Sequence, residues 1–244
     1  MSMMIARKIL VLVAVAFALN AEAKLVMTAK IFDENSQKQT LLFDFQREME
    51  ATEKTLSVTT QFHDPSGALA ASEHAEIEKE KPDRVLSYTQ EQKQLGAVGS
   101  VEVKDGKVYF KYTRDGKTKE SSEKAQDNLV VTPTVLAYLQ NRWDKIAGGE
   151  TIKVRLAVLD RLETVGFEYF KEKEVDLDGE KAIVVKMKPS SFIIAALVDP
   201  LHFYFSKDGK HLLEIHGRTL LKRNVSGKWK DLDAVTVYKY VSAE

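Results

Sequence analysis

The sequence predicts a mainly β fold, one large curved antiparallel sheet (a half-barrel or open barrel) with two short helices packed on or in it. Three observations lead there. Asp-Gly pairs recur at 105–106, 115–116, 178–179 and 208–209. Between segments of alternating polarity this dipeptide is a strong hairpin signal, because both turn residues tolerate positive φ. Polar and apolar residues alternate on either side of those turns, as in Val101 and Val103 against Glu102 and Lys104, or Val154, Leu156 and Val158 against Lys153 and Arg155. Period two marks strands with one face on a core and one in water. Several of these segments also approach twelve residues, about 40 Å at ~3.3 Å per residue, long enough for a large curved sheet.

Followed in order, the pattern gives strands near 25–32, 39–50, 53–63, 69–80, 84–94, 97–104, 107–114 and 117–123, then 151–159, 164–176, 181–188, 200–206, 211–221 and 232–241. Ser226-Gly227 and the stretch His63-Asp64-Pro65-Ser66-Gly67 read as weaker turns. Two segments break the period. Thr132 offers a helix N-cap and Pro133 the first helical position; Val135, Leu136, Leu139, Trp143 and Ile146 then share one face until Gly148-Gly149 ends the run. The second segment is Phe192-Ile193-Ile194-Ala195-Ala196-Leu197-Val198, set between Pro189-Ser190-Ser191 and Asp199-Pro200. A helix that is apolar all round is either wrapped by protein or in contact with something apolar. No Pro-rich linker and no fixed-period repeat divides the chain, so 24–244 is expected to be a single β-rich domain.

Residues 1–23 read as a secretory signal. Arg7 and Lys8 precede the 11-residue apolar run Ile9 to Leu19, and Ala21-Glu22-Ala23 supplies a small-x-small site, so cleavage is expected after Ala23. The run is shorter than the roughly 20 apolar residues of a membrane-spanning helix. The mature chain then carries 34 basic and 35 acidic residues, a net charge of −1, and is expected in a periplasm or the medium. Such a balance argues against nucleic acid as the main partner. The chain has no cysteine, which removes disulfides, thiolate catalysis, cysteine zinc sites and lipidated cysteine from consideration.

No catalytic constellation emerges. His63, His74, His202, His211 and His216 are scattered, with no helical His-Glu-x-x-His spacing, so no metal site is expected. Glu73, Glu76, Glu78 and Glu80 fall in a run of mixed sign with Lys79 and Lys81 and read as a solvated strand face rather than an acid-base pair, which needs one carboxyl in an apolar pocket. No nucleophile elbow, phosphate loop or dinucleotide fingerprint is present, and no cofactor is implied. Between Lys207 and Lys230, seven basic residues face two acidic ones. There Lys222, Arg223, Lys228, Trp229 and Lys230 form a patch able to meet an anionic membrane surface or an envelope protein.

The apolar residues are the most informative. Phe43 and Phe45; Leu56, Val58 and Phe62; Val165, Phe167 and Tyr169; and Leu201, Phe203 and Phe205 are stripes spaced by two. A curved sheet lined this way fills its concave side with its own helices or partly with a ligand such as an acyl chain. On the second reading the expected ligand-binding residues are Trp143, Phe192, Ile193, Ile194, Leu197, Phe203 and Phe205, with the 192–198 helix as plug or lid.

A Trp-bearing helix ahead of Gly148-Gly149-Glu150, and the late segment Leu201-His202-Phe203-Tyr204-Phe205-Ser206-Lys207-Asp208-Gly209-Lys210, complete a pattern that resembles uncharacterised bacterial periplasmic β-rich proteins. More distantly it is similar to the lipoprotein carriers of the Gram-negative envelope. That resemblance implies a half-barrel sheet closed by helices over an apolar cavity, and with it an exported, non-enzymatic carrier of a lipid or lipidated peptide. The alternatives are an envelope assembly protein with a filled core and a hydrolase of an envelope polymer.

Overall fold

The computed structural model describes residues 23–195 and 199–241. The expected export segment, apart from Ala23, and Leu197 lie outside these residues. Fifteen strands form one sheet: β1 (Lys24–Asp33), β2 (Leu41–Ala51), β3 (Thr55–His63), β4 (Leu69–Glu78), β5 (Lys81–Gln92), β6 (Ala97–Lys104), β7 (Lys107–Arg114) and β8 (Lys117–Lys124), then β9 (Leu129–Val130), β10 (Ile152–Val158), β11 (Glu163–Leu177), β12 (Glu180–Pro189), β13 (Leu201–Ser206), β14 (Leu212–Val225) and β15 (Lys228–Tyr240). The helices are α1 (Thr132–Gln140), α2 (Trp143–Ala147) and α3 (Phe192–Ala195). The mainly β, curved-sheet architecture expected from the sequence is therefore the one observed.

The strand order is β8-β7-β6-β5-β4-β3-β2-β1-β15-β14-β13-β12-β11-β10-β9. The first and last strands pair at the centre of the sheet, so its two edges, β8 and β9, are neighbours in the chain. Fifteen flat strands at about 4.8 Å spacing would hold those edges about 67 Å apart. The link 125–128 reaches at most roughly 18 Å. Connectivity alone thus forces the sheet to roll until its edges meet. They meet without a shared ladder: Thr164 N donates to Glu123 Oε1 (3.2 Å) from β11 to β8, and the Ser121 hydroxyl donates to Leu162 O. The β10 end tucks inside the opposite wing, where Leu129, Ala157 and Leu159 pack with Val101, Val108 and Phe110. There the fit is close enough that a Cβ on Gly99 would come within 2.7 Å of Leu159.

The turn chemistry follows the sequence with two differences. Ser226-Gly227, read as a weaker turn, has the same double positive φ (52° and 82°) as Asp105-Gly106 (51° and 72°). It closes a full hairpin, which carries β14 and β15 past their expected ends. At Asp208-Gly209 only Gly209 has positive φ, and Asp208 instead accepts hydrogen bonds from Ser206 Oγ (2.7 Å) and Lys210 N (3.1 Å).

The expected single helix over 133–146 is broken in two at Asn141-Arg142. Its N-cap is Val131 rather than Thr132, and the Thr134 hydroxyl accepts from Val131 N–H (3.1 Å). The break is fixed by Arg142, which donates to Asp83 Oδ2 of β5 (2.8 Å) and to Tyr138 O (3.0 Å) while lying 3.6 Å from the centre of the Tyr138 ring. Both helices sit in the crossover between the parallel strands β9 and β10, a connection that needs a dozen or more residues. From there they brace the two wings. Gln140 Nε2 donates to Lys210 O (2.7 Å) in the β13–β14 turn, and Trp143 packs on the same turn. Across the roll, the β14 backbone at Lys222 exchanges two 2.8 Å hydrogen bonds with the Gln94 side chain beyond β5. This tie falls where a bulge between Arg218 and Lys222 lets β14 bend inward.

Candidate functional site

Between α1 and the concave face the roll leaves a partly open cavity of about 250 Å³. Val135, Leu136 and Leu139 of α1 form its roof. Opposite them lie Met187, Phe203, Phe205 and Leu212 of β12–β14 and Ile31 and Phe45 of β1–β2. Tyr169 and Tyr238 also line it, and burial pushes both phenols well above their ordinary range. A cavity walled by apolar side chains with few polar groups is the usual form of a small-ligand site.

Arg218, Thr219 and Thr236 line the cavity from the β14–β15 side, and a second polar group lies on the opposite wing. Arg47 on β2 pairs in register with Thr60 on β3, and Thr60 with Glu73 on β4, so three polar residues cross three neighbouring strands in one row. Each interrupts an apolar stripe. Arg47 follows Phe43 and Phe45, Thr60 stands between Val58 and Phe62, and Glu73 between Ala71 and Ala75. Thr60 and Glu73 are fully buried, at 0% and 1% exposure. Arg47 Nε donates to Thr60 Oγ1 (3.0 Å), and Tyr88 Oη donates to Glu73 Oε1 (2.6 Å). Among the described residues Glu73 Oε2 has no hydrogen-bond partner. Burial pushes the Glu73 carboxyl above its ordinary value, opposed by the Tyr88 hydroxyl, the positive charge of Arg47 and the Thr132 hydroxyl. Arg47, Glu73 and Thr132 all line the cavity.

This corrects the reading of Glu73 as part of a solvated strand face. Glu80 is exposed and Glu76 and Glu78 are partly so, but Glu73 is out of phase with those three and in phase with Ala71, Ala75 and Ile77. A polar residue on the apolar phase was the available signal, and Arg47 and Thr60 carry it too.

Of the expected ligand-binding residues, Phe203 and Phe205 line the cavity. Trp143 is buried one layer behind, its ring 5.0 Å from that of Phe205. Phe192 and Ile193 are 89% and 75% exposed, outside the cavity rather than over it. α3 follows directly on the end of β12, and α1 holds the roofing position expected of α3. The Ile194 side chain and Leu197 lie outside what the structure describes.

The histidines are less scattered than expected. His202 and His216 pair across β13 and β14, the first with Nε2 3.5 Å from Glu172 Oε2 and the second 2.7 Å from Glu214 Oε2. Among the described residues no three His, Asp or Glu side chains converge as metal ligands would. The basic patch forms the β14–β15 hairpin arm. Within it Lys222 pairs with Asp231 (2.6 Å) and Arg223 with Asp33, while Trp229 is 44% exposed. Among the described residues no helix is long and apolar enough to cross a membrane.

Fold and site together define a mainly β protein whose single sheet, antiparallel except at β9–β10, rolls around an apolar cavity roofed by a helix. No protein-family model matches the chain, and no curated protein does. Among solved structures it is similar to a β-barrel-like protein of the domain of unknown function DUF1849 from Brucella abortus, with 11% identity, 91% of this chain and 96% of that chain covered, and a TM-score of 0.46. It is also similar to a DUF1329 family protein from Desulfovibrio piger, with 10% identity, 92% and 85% coverage, and a TM-score of 0.28.

Proposed function

We propose that the protein is an exported, non-enzymatic carrier that shields one apolar, lipid-like ligand inside the rolled sheet. The cavity between α1 and the β12–β14 wall is the observation that supports it most directly. Burial of a chain there contributes about 0.8 kcal/mol per methylene, and the α1 roof is held to both wings by Arg142 and Gln140. Export rests on the sequence at 1–23 and is consistent with β1 beginning at Lys24, so that removal of the leader spares the first strand. Expression with an intact leader in a Gram-negative host should yield a periplasmic protein whose N-terminus is Lys24, read by intact mass. A cytoplasmic, full-length product contradicts export.

Filling the cavity tests the carrier role. Val135→Trp on α1 and Ile215→Trp on β14 each place an indole where there is empty volume, and a fluorescent fatty acid that binds the wild-type protein should bind either variant at least about tenfold more weakly. Both variants should keep the wild-type far-UV spectrum, since overpacking penalties arise where a core is already full. Wild-type protein that binds no probe and yields no lipid on organic extraction would remove the carrier reading. An assembly role, with the Lys228-Trp229-Lys230 arm as contact surface, would then take its place.

A further inference from the structure

Resting on the carrier reading, we propose that the ligand is a single-chain carboxylic acid whose head seats between the Arg47 guanidinium and Glu73 Oε2. Its chain runs under α1 toward Phe203 and Phe205. Arg47 and Glu73, from the row Arg47–Thr60–Glu73, line the cavity, and among the described residues Glu73 Oε2 is a buried carboxyl oxygen without a partner. Buried polar atoms are nearly always paired, and an unpaired one calls for an explanation. A bound ligand supplies one. The other charged lining group, Arg218, is already held by Asp233 (2.7 Å) and by Asp231, whereas Arg47 donates from Nε to Thr60 and lines the cavity together with Glu73.

Charge and shape select the head. A guanidinium fork matches a carboxylate by two parallel hydrogen bonds. Two carboxyls side by side share one proton, so Glu73 and the ligand together carry one negative charge and one O–H, which satisfies Oε2 whichever carboxyl holds the proton. With Arg47 the assembly is neutral, as an apolar enclosure requires. An amine head beside Arg47 leaves a net positive charge, and a doubly ionised phosphate monoester leaves a net negative one even with Glu73 protonated. Volume sets the chain. A cavity of about 150 Å³ holds a benzene molecule, so about 250 Å³ holds roughly ten non-hydrogen atoms. That fits one medium-length acyl chain and not a multi-chain lipid.

The test compares decanoic acid, methyl decanoate and decylamine by titration calorimetry on wild-type protein, Arg47→Met and Glu73→Leu. The acid should bind wild-type protein at least about tenfold tighter than the ester, as expected for a charge-assisted head contact, and decylamine should bind more weakly than either. Arg47→Met should abolish the acid's advantage and Glu73→Leu should reduce it. Ester affinity reports whether each variant keeps its cavity, so a variant that binds neither is replaced by Arg47→Lys, which should narrow the advantage by losing the fork. Equal binding of acid and ester to wild-type protein, a preference for the amine, or an acid preference that survives both substitutions overturns the proposal and leaves the carrier reading intact. Binding of none of the three overturns both.

Discussion

Truncating Trp143 to alanine is expected to cost about 3–5 kcal/mol of stability, the range for a buried aromatic. The indole is the brace between helix and sheet. It packs 5.0 Å from the Phe205 ring, its Nε1 donates to Lys207 O (3.3 Å), and its face lies directly over Gly209. Gly209→Ala should cost about as much from the other side. A Cβ there would stand 2.2 Å from Trp143 Cδ2, inside any tolerable contact, at a φ of +74° that by itself costs an alanine roughly 1–2 kcal/mol. The two losses share one cause and should not add. Once the indole is gone the alanine meets open space, so in the Trp143→Ala background Gly209→Ala should cost only its backbone share of roughly 1–2 kcal/mol. Denaturant unfolding of the four proteins measures the cycle. Simple additivity would mean that the ring does not lie against this turn in solution.

The architecture was legible where the signal is local. Asp-Gly pairs and period-two stripes located every expected strand, because hairpin turns and half-buried faces are written in consecutive residues. What was not legible depends on contacts far apart in the chain. β9 is two residues long and exists through its parallel partner β10, so it has no period of its own to read. The helix break at Asn141-Arg142 follows from the bond between Arg142 and Asp83, fifty-nine residues upstream. The roll of the sheet follows from β1 pairing with β15, which no local pattern announces.

The site divides in the same way. Phe203 and Phe205 were found because apolar stripes point to an interior, and α3 was given the lid role because its apolar character alone was weighed. Phe192 and Ile193 stand exposed just past the end of β12, whereas α1, in the β9–β10 crossover, lines the cavity. The polar row was hidden by composition. Glu73 sits in a stretch dense with charge, and only its phase relative to Ala71, Ala75 and Ile77 separates it from Glu76, Glu78 and Glu80.

Glu73 is one of two buried glutamates among the described residues, and stability should respond to them with opposite sign. At Glu214, 3% exposed, burial alone would raise the carboxyl, but the hydrogen bonds from His216 (2.7 Å) and Lys38 outweigh it and hold the group below its ordinary value of 4.5. Its folded state releases the proton more readily than the unfolded chain, so its contribution is present above about pH 4.5 and is lost as pH falls through the lowered value. Glu73 is shifted upward from the same 4.5. There the folded state keeps a proton the unfolded chain has given up, so stability declines as pH rises from about 4.5 through the raised value. At about pH 8, Glu214→Gln should therefore destabilise by about 1–3 kcal/mol, the scale of a hydrogen bond to a charged group. Glu73→Gln should stabilise there, since its amide bears no charge and its carbonyl still accepts from Tyr88. At about pH 4 the Glu73→Gln gain should vanish and the Glu214→Gln loss should shrink. Urea midpoints at the two pH values measure both. A Glu73→Gln protein that is less stable than wild type at about pH 8 would mean that the carboxylate is paired in solution, and would place a hydrogen-bond donor on the cavity side of Oε2 even without ligand.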